Sequence, residues 1–162
     1  MKKIIIPVVI AAALCIGTFP ALAQTAKDLV GAWSFVTIDT TTAEGTKGQP
    51  FGPTPQGYVI FSDNGRFVWL VTRPGRAKFV SGRRDQGTNE ENKDTVQGSL
   101  GYAGTYKVTD NNVIMKIEAT TYPNDQGAEQ KRTFTLTGDE LKWMNPTTTT
   151  GASAVAVLKR VK

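Results

Sequence analysis

Apolar residues recur at every second position through most of the chain, the period of a strand with one face in a core. Trp33, Phe35 and Thr37 alternate with Ser34, Val36 and Ile38 in a strand predicted over residues 31–40. In residues 57–73, two β-branched and aromatic runs flank Asp63-Asn64-Gly65, which reads as an antiparallel hairpin. Further strands are predicted over 104–109, 113–121, 131–137, 141–144 and 154–161. In the second of these Val113, Met115, Ile117 and Ala119 alternate with Ile114, Lys116 and Glu118; in the third Arg132, Phe134 and Leu136 share a face. Helical patterning is confined to residues 25–30 and 90–96, the latter with Thr88 or Asn89 as cap and with Gly98 and Gly101 stopping it.

Consecutive short strands joined in order make an up-and-down meander, and about eight of them suffice to close a barrel and remove both edges. The expected fold is all-β: an antiparallel, eight-stranded barrel formed by one domain over residues 24–162, with an open sandwich as the alternative. The connections sort by length. Asp63-Asn64-Gly65, Asp110-Asn111-Asn112 and Thr137-Gly138-Asp139-Glu140 are tight and fall at one end. Residues 41–56, 74–103, 122–130 and 145–153 are long and fall at the other. A barrel closed below and ringed by long loops above is a cup, and barrel mouths favour small-molecule sites. The hairpin register stays open. A two-residue turn sets Phe67, Trp69 and Val71 with Tyr58 and Ile60, whereas a three-residue loop with a bulge groups Phe67 and Trp69 with Val59 and Phe61.

The N-terminus changes the compartment. Met1-Lys2-Lys3, an apolar run to Phe19, and Ala21-Leu22-Ala23 have the layout of a cleaved signal peptide over residues 1–23. A retained anchor is the alternative, but the run is short and holds Pro7; a lipidated Cys15 would need a small residue where Leu14 stands. A periplasmic or secreted location follows. Of 19 Lys and Arg against 14 Asp and Glu, Lys2 and Lys3 leave with the leader, so the remaining chain is only mildly basic and nucleic acid is not an expected partner. Cys15 is the one cysteine and histidine is absent, so imidazole chemistry, cysteine nucleophiles and the usual zinc ligand sets are ruled out for the exported chain. No metal or cofactor site is expected.

Gly31-x-Trp33 after a short helical turn resembles the G-x-W signature of lipocalins and their calycin relatives. In that resemblance an arginine near the end of the last strand packs over the tryptophan, and Arg160 stands at the corresponding place. A longer set resembles the bacterial lipocalin-like domain family: Pro50-Phe51-Gly52, Pro55-x-Gly57-Tyr58, Asp63-x-Gly65-Arg66, Arg73-Pro74-x-Arg76, Gly104-Thr105-Tyr106, Arg132-x-Phe134-x-Leu136 and Gly138-Asp139-x-Leu141. The resemblance implies a calycin-type barrel and a binding cup. Members of that family often carry a histidine early on the strand from Val113, where this chain has Met115 and Lys116.

The expected function is binding of a small apolar or amphipathic ligand, neutral or anionic, in the barrel mouth. Tyr58, Trp69, Tyr106 and Met115 are the candidate lumen residues, with Arg132 and Arg73 as anchors for an acid group; Gly31, Trp33 and Arg160 are structural candidates. An inward guanidinium could hold a carboxylate bidentately, or could instead pair with Glu118 or Glu129. Arg73, Arg76, Lys78, Arg83 and Arg84 form either a basic rim or an ordinary solvated loop. No Ser–base pair, P-loop or G-x-S-x-G motif is present. Two other readings stand beside the first. One is a barrel enzyme of the isomerase or cyclase type, which requires a lumen carboxylate or tyrosine. The other is an envelope interaction module built on the outer apolar face of the hairpin, with another protein or a second copy of the chain (a homo-oligomer) as its partner.

Overall fold

The computed structural model describes residues 24–162; the expected leader lies outside the described residues. Nine strands follow in order: β1 (Gly31–Thr41), β2 (Lys47–Gly48), β3 (Gln56–Phe61), β4 (Arg66–Thr72), β5 (Ser99–Thr109), β6 (Asn112–Thr120), β7 (Glu129–Thr137), β8 (Glu140–Asn145) and β9 (Ser153–Arg160). β1 pairs antiparallel with β3, β3 to β9 each pair antiparallel with the next, and β9 returns to β1, closing an eight-stranded barrel. The two-residue β2 is an addition outside the ring, paired to the far end of β1.

The β3–β4 hairpin settles the register of the barrel's aromatics. Phe61 faces Phe67 and Val59 faces Trp69. Ser62 and Arg66 close the loop, with the Ser62 N–H donating to the Arg66 carbonyl at 2.8 Å. The loop is therefore Asp63-Asn64-Gly65, and Gly65 takes the left-handed conformation (φ +77°) that a side chain resists. A one-residue slip would exchange the faces. In the observed register Val59, Phe61, Phe67, Trp69 and Val71 point inward and are buried, while Tyr58, Ile60, Val68 and Leu70 point outward and are about half exposed. The placement of Tyr58 in the lumen is corrected accordingly.

Two bulges modify the simple alternation. In β1 the register against β9 shifts between Phe35 and Thr37. Trp33 and Phe35 point inward, Val36 is turned out, and Ile38 rather than Thr37 resumes the inner face. Between β5 and β6 the register shifts at Ala103 and Gly104. A Cβ at Gly104 would stand 1.9 Å from the Lys116 carbonyl oxygen, so the close approach of these two strands requires glycine. β5 also begins earlier than its apolar pattern predicts, at Ser99, because Gly101 and Gly104 interrupt an alternation that Leu100, Tyr102 and Tyr106 continue.

The closed end is built from short connections and one helical turn. Asp110 and Asn111 both adopt positive φ between β5 and β6, the geometry of a tight mirror-image turn. α1 (Ala26–Leu29) lies across the base; the Trp33 indole N–H donates to the Leu29 carbonyl at 2.8 Å, and both residues are fully buried. Above them Trp33, Phe61, Phe67, Val113, Met115, Leu141 and Leu158 form a continuous apolar core. The long connections all lie at the opposite end. One carries α2 (Asn89–Gln97), started by Thr88, whose N–H donates to Glu91 Oε2 at 2.8 Å while its hydroxyl accepts from the Glu91 N–H. Another carries a single 3₁₀ turn, Pro123–Asp125.

Candidate functional site

The open end of the barrel holds a cavity of about 800 Å³. Its floor and walls are inner-face residues of the strands, among them Ile38, Trp69, Tyr102 and Trp143, and its rim comes from all four long connections. Phe51 comes from the first connection, Thr95 and Val96 from α2, Asp125 from the 3₁₀ turn and Thr147 to Thr150 from the last. Apolar side chains dominate because each strand presents alternate residues inward, and those residues were selected for packing. Trp69 and Tyr102 stack nearly parallel, 5.5 Å apart and 11° off coplanar, and Phe35 meets Trp69 edge-on at 5.0 Å. These contacts fix one wall.

Into this wall project a few polar groups. Arg132 is 7% exposed and donates to the Gln130 side-chain carbonyl two residues earlier on the same face of β7. Among the described residues no carboxylate forms an ion pair with it; Glu118 is taken up outside the barrel by Arg66 at 2.8 Å. Burial pushes the Tyr102 hydroxyl up to about 12, against the opposing charge and hydrogen bond of Arg132. Asp125 is 9% exposed. Burial raises its pKa, and the Arg132 charge and a hydrogen bond from Gln130 oppose that rise. Asp125 Oδ2 and the indole nitrogens of Trp69 and Trp143 are buried with no hydrogen-bond partner among the described residues. All three belong to side chains on the cavity wall. A buried donor or acceptor favours a partner by about 1–3 kcal/mol, so these three atoms are polar positions that molecules entering the cavity can satisfy.

A family model for a lipocalin-like domain matches residues 30–160. The chain belongs to the lipocalin-like domain family. Among solved structures, a lipocalin-like protein from Bacteroides uniformis ATCC 8492 is similar at 12% identity, with a TM-score of 0.45, over 83% of this chain and 99% of that one. An uncharacterized protein from Bacteroides eggerthii DSM 20697 is similar at 15% identity, with a TM-score of 0.43, over 83% of this chain and 100% of its own. No curated protein matches the chain.

The lipocalin-like barrel distributes the six candidate ligand residues over three places. Trp69, Arg73 and Arg132 line the cavity. Tyr106 and Met115 do not; they pair across β5 and β6 in the packed core, and the Tyr106 hydroxyl donates to the Ser62 carbonyl at 2.9 Å near the closed end. Tyr58 is on the outer face. Arg73 reaches the rim but is paired with Asp94 of α2, and Arg83 with Asp85 at 3.1 Å, so the basic stretch after β4 is partly neutralised by its own loop. Of the structural candidates, Arg160 lies 4.1 Å from the centre of the Trp33 ring and donates to the Val30 and Asp28 carbonyls at 2.8 and 2.7 Å. Gly31 is held at φ +123°, and a Cβ there would stand 3.2 Å from the Arg160 guanidinium.

Sequence reasoning missed Tyr102, Asp125, Gln130 and Trp143 as cavity residues. Gln130 was accessible, since it precedes Arg132 by two on one strand face. Tyr102 was hidden by the glycines around it. Nothing local marks Asp125, which lies in the 3₁₀ turn of the β6–β7 connection, a connection tied back to β6 by backbone bonds of Gly127 and Ala128 to Ile117.

Proposed function

We propose that this protein is an exported binding protein that holds a small amphipathic ligand in the open end of its barrel. The observation that carries this reading is the cavity itself: about 800 Å³, apolar for most of its wall, with one buried guanidinium that forms no ion pair among the described residues. Pockets of roughly 300–1,000 Å³ with a few convergent polar groups suit ligands of small-molecule size. The apolar wall favours an aliphatic or aromatic tail, and Arg132 favours an acid or strongly accepting head. Trp69 and Trp143 supply a direct readout, because a ligand in the cavity must touch them. Native mass spectrometry of protein taken from its own host, with tryptophan fluorescence titration, tests the reading. A retained small molecule or saturable quenching is the expected result. A cavity that takes up nothing from a panel of alkyl and aryl acids, amides and alcohols overturns it. The export proposed with it predicts a mature N-terminus at Gln24, checked by mass on the same sample.

A second reading, a barrel enzyme of the isomerase or cyclase type, is favoured by Asp125 and Tyr102. They are the carboxyl and hydroxyl of raised pKa on the cavity wall, as acid–base chemistry at this site would require. A third, self-association, is favoured by the outward row of Tyr58, Ile60, Val68 and Leu70. Product formation lost in both Asp125→Asn and Tyr102→Phe would favour the enzyme over the binding cup, and sedimentation velocity separates monomer from dimer.

A further inference from the structure

Resting on the binding-cup reading, we propose that Asp125 makes anion binding proton-coupled: a carboxylic acid with an apolar tail enters beside Arg132 as the carboxylate, and Asp125 takes up a proton as it does so. The geometry behind this is simple. Asp125 and Arg132 line the same cavity and are each more than nine-tenths buried, and Gln130, which accepts from Arg132, lines that cavity with them. They form no direct ion pair, so the guanidinium keeps donors free for a ligand. A ligand carboxylate seated on those donors brings a second negative charge into a wall that already holds one. Two carboxylates sharing a low-dielectric site do not both stay ionised; one binds a proton. The proton comes from solvent and goes to Asp125, whose Oδ2 has no protein donor to oppose it.

The surrounding groups leave Asp125 as the one candidate on the wall. The cavity residues that carry a charge or a titrating proton are Arg73, Tyr102, Tyr122, Asp125 and Arg132. Asp125 is the only carboxyl among them; Arg73 is engaged by Asp94, and the Tyr102 hydroxyl is pushed up to about 12. On the flanking strands Glu118 is paired with Arg66, and Glu129 is exposed. The chain contains no histidine, so between about pH 5.5 and 7.5 no imidazole anywhere in the protein releases or takes up protons to obscure the measurement.

The consequence is a selectivity rule. Neutral ligands bind without regard to pH, and carboxylates bind more tightly as pH falls, by up to roughly tenfold per pH unit where one full proton is taken up. The probes are decanoate and decanamide, titrated calorimetrically near pH 6.5 in two buffers of different ionisation enthalpy, against wild type and Asp125→Asn. Wild type is expected to take up a proton, between a half and one, per decanoate bound and none per decanamide. In Asp125→Asn the uptake disappears and decanoate binding near pH 7.5 strengthens about tenfold, because the asparagine is permanently neutral. Decanoate binding to wild type with no proton uptake, or with uptake that persists in Asp125→Asn, overturns the inference while leaving the binding cup standing. Binding of neither probe overturns both. Should Asp125→Asn fold poorly, the wild-type comparison of the two probes still decides.

Discussion

The two ends of this barrel are made from the same strands and differ in nearly every physical respect. At the closed end connections are a few residues long, and Trp33, Leu29 and Leu158 are fully buried. Every polar group named there is met: the Trp33 indole by Leu29, and the Arg160 guanidinium by two backbone carbonyls and the Trp33 face. At the open end connections are long, an 800 Å³ space replaces side-chain packing, and Asp125, Trp69 and Trp143 retain unmet buried atoms. One arginine from each end shows the difference most plainly. Arg160 serves the fold, because its donors go to backbone carbonyls and its cation sits over the Trp33 ring. Arg132 faces Gln130, Tyr102 and a cavity. The contrast locates stability at the base and unspent interaction capacity at the mouth.

Four tests break or sharpen that contrast. The largest effect is expected from Trp33→Ala, which empties a fully buried site and orphans the Leu29 carbonyl; about 3–5 kcal/mol should be lost in urea unfolding. Trp69→Ala at the mouth already borders open space and should cost about half as much or less. Equal losses would dissolve the distinction between the ends.

The next test applies one chemical change to both arginines. Arg160→Met removes the cation over Trp33 and leaves two carbonyls unpaired, a loss of about 2–3 kcal/mol. Arg132→Met removes a buried unpaired charge and should leave stability unchanged or raise it by about 1 kcal/mol, since apolar replacements of buried ions are often neutral or favourable. Opposite signs in chemical denaturation support the division; destabilisation by both would mean that Arg132 is structural.

A smaller effect concerns pH. Asp125 has a folded-state pKa above its unfolded value, so the folded chain binds more protons across the interval between the two. Its ionised form therefore weakens the fold at neutral pH, and that penalty is relieved as pH falls through the folded pKa toward the unfolded one. Asp125→Asn should be slightly more stable than wild type at pH 7, by about 1 kcal/mol or less, with the difference shrinking as the pH falls to about 4. A gap that widens on acidification contradicts the assignment. Exposed pairs on the outer wall should matter least: Arg66→Gln, which breaks the pair with Glu118, is expected to change stability by less than about 1 kcal/mol in a denaturant titration.

The sequence by itself determined the fold class, the strand order, and which end of the barrel is closed. These follow from local physics: period-two alternation, turn residues such as Asn64-Gly65 and Asp110-Asn111, and the segregation of short from long connections. It also determined that Arg132 shares an inward face with Phe134, because a strand has only two faces. The tertiary structure decided the rest. It chose the three-residue loop that turned Tyr58 outward, since both registers leave an apolar face and only closure of the whole barrel selects one. It placed the Val36 bulge that sent Ile38 rather than Thr37 inward, a shift set by how β9 meets β1 more than a hundred positions away. It sank Tyr106 and Met115 into the core and left Trp69 beside open space, a difference of height along the barrel that alternation does not encode. And it brought Asp125 from a polar loop to the wall that holds Arg132 and Tyr102. Loop burial depends on what the rest of the chain builds underneath, and no local pattern in residues 121–128 carries that information.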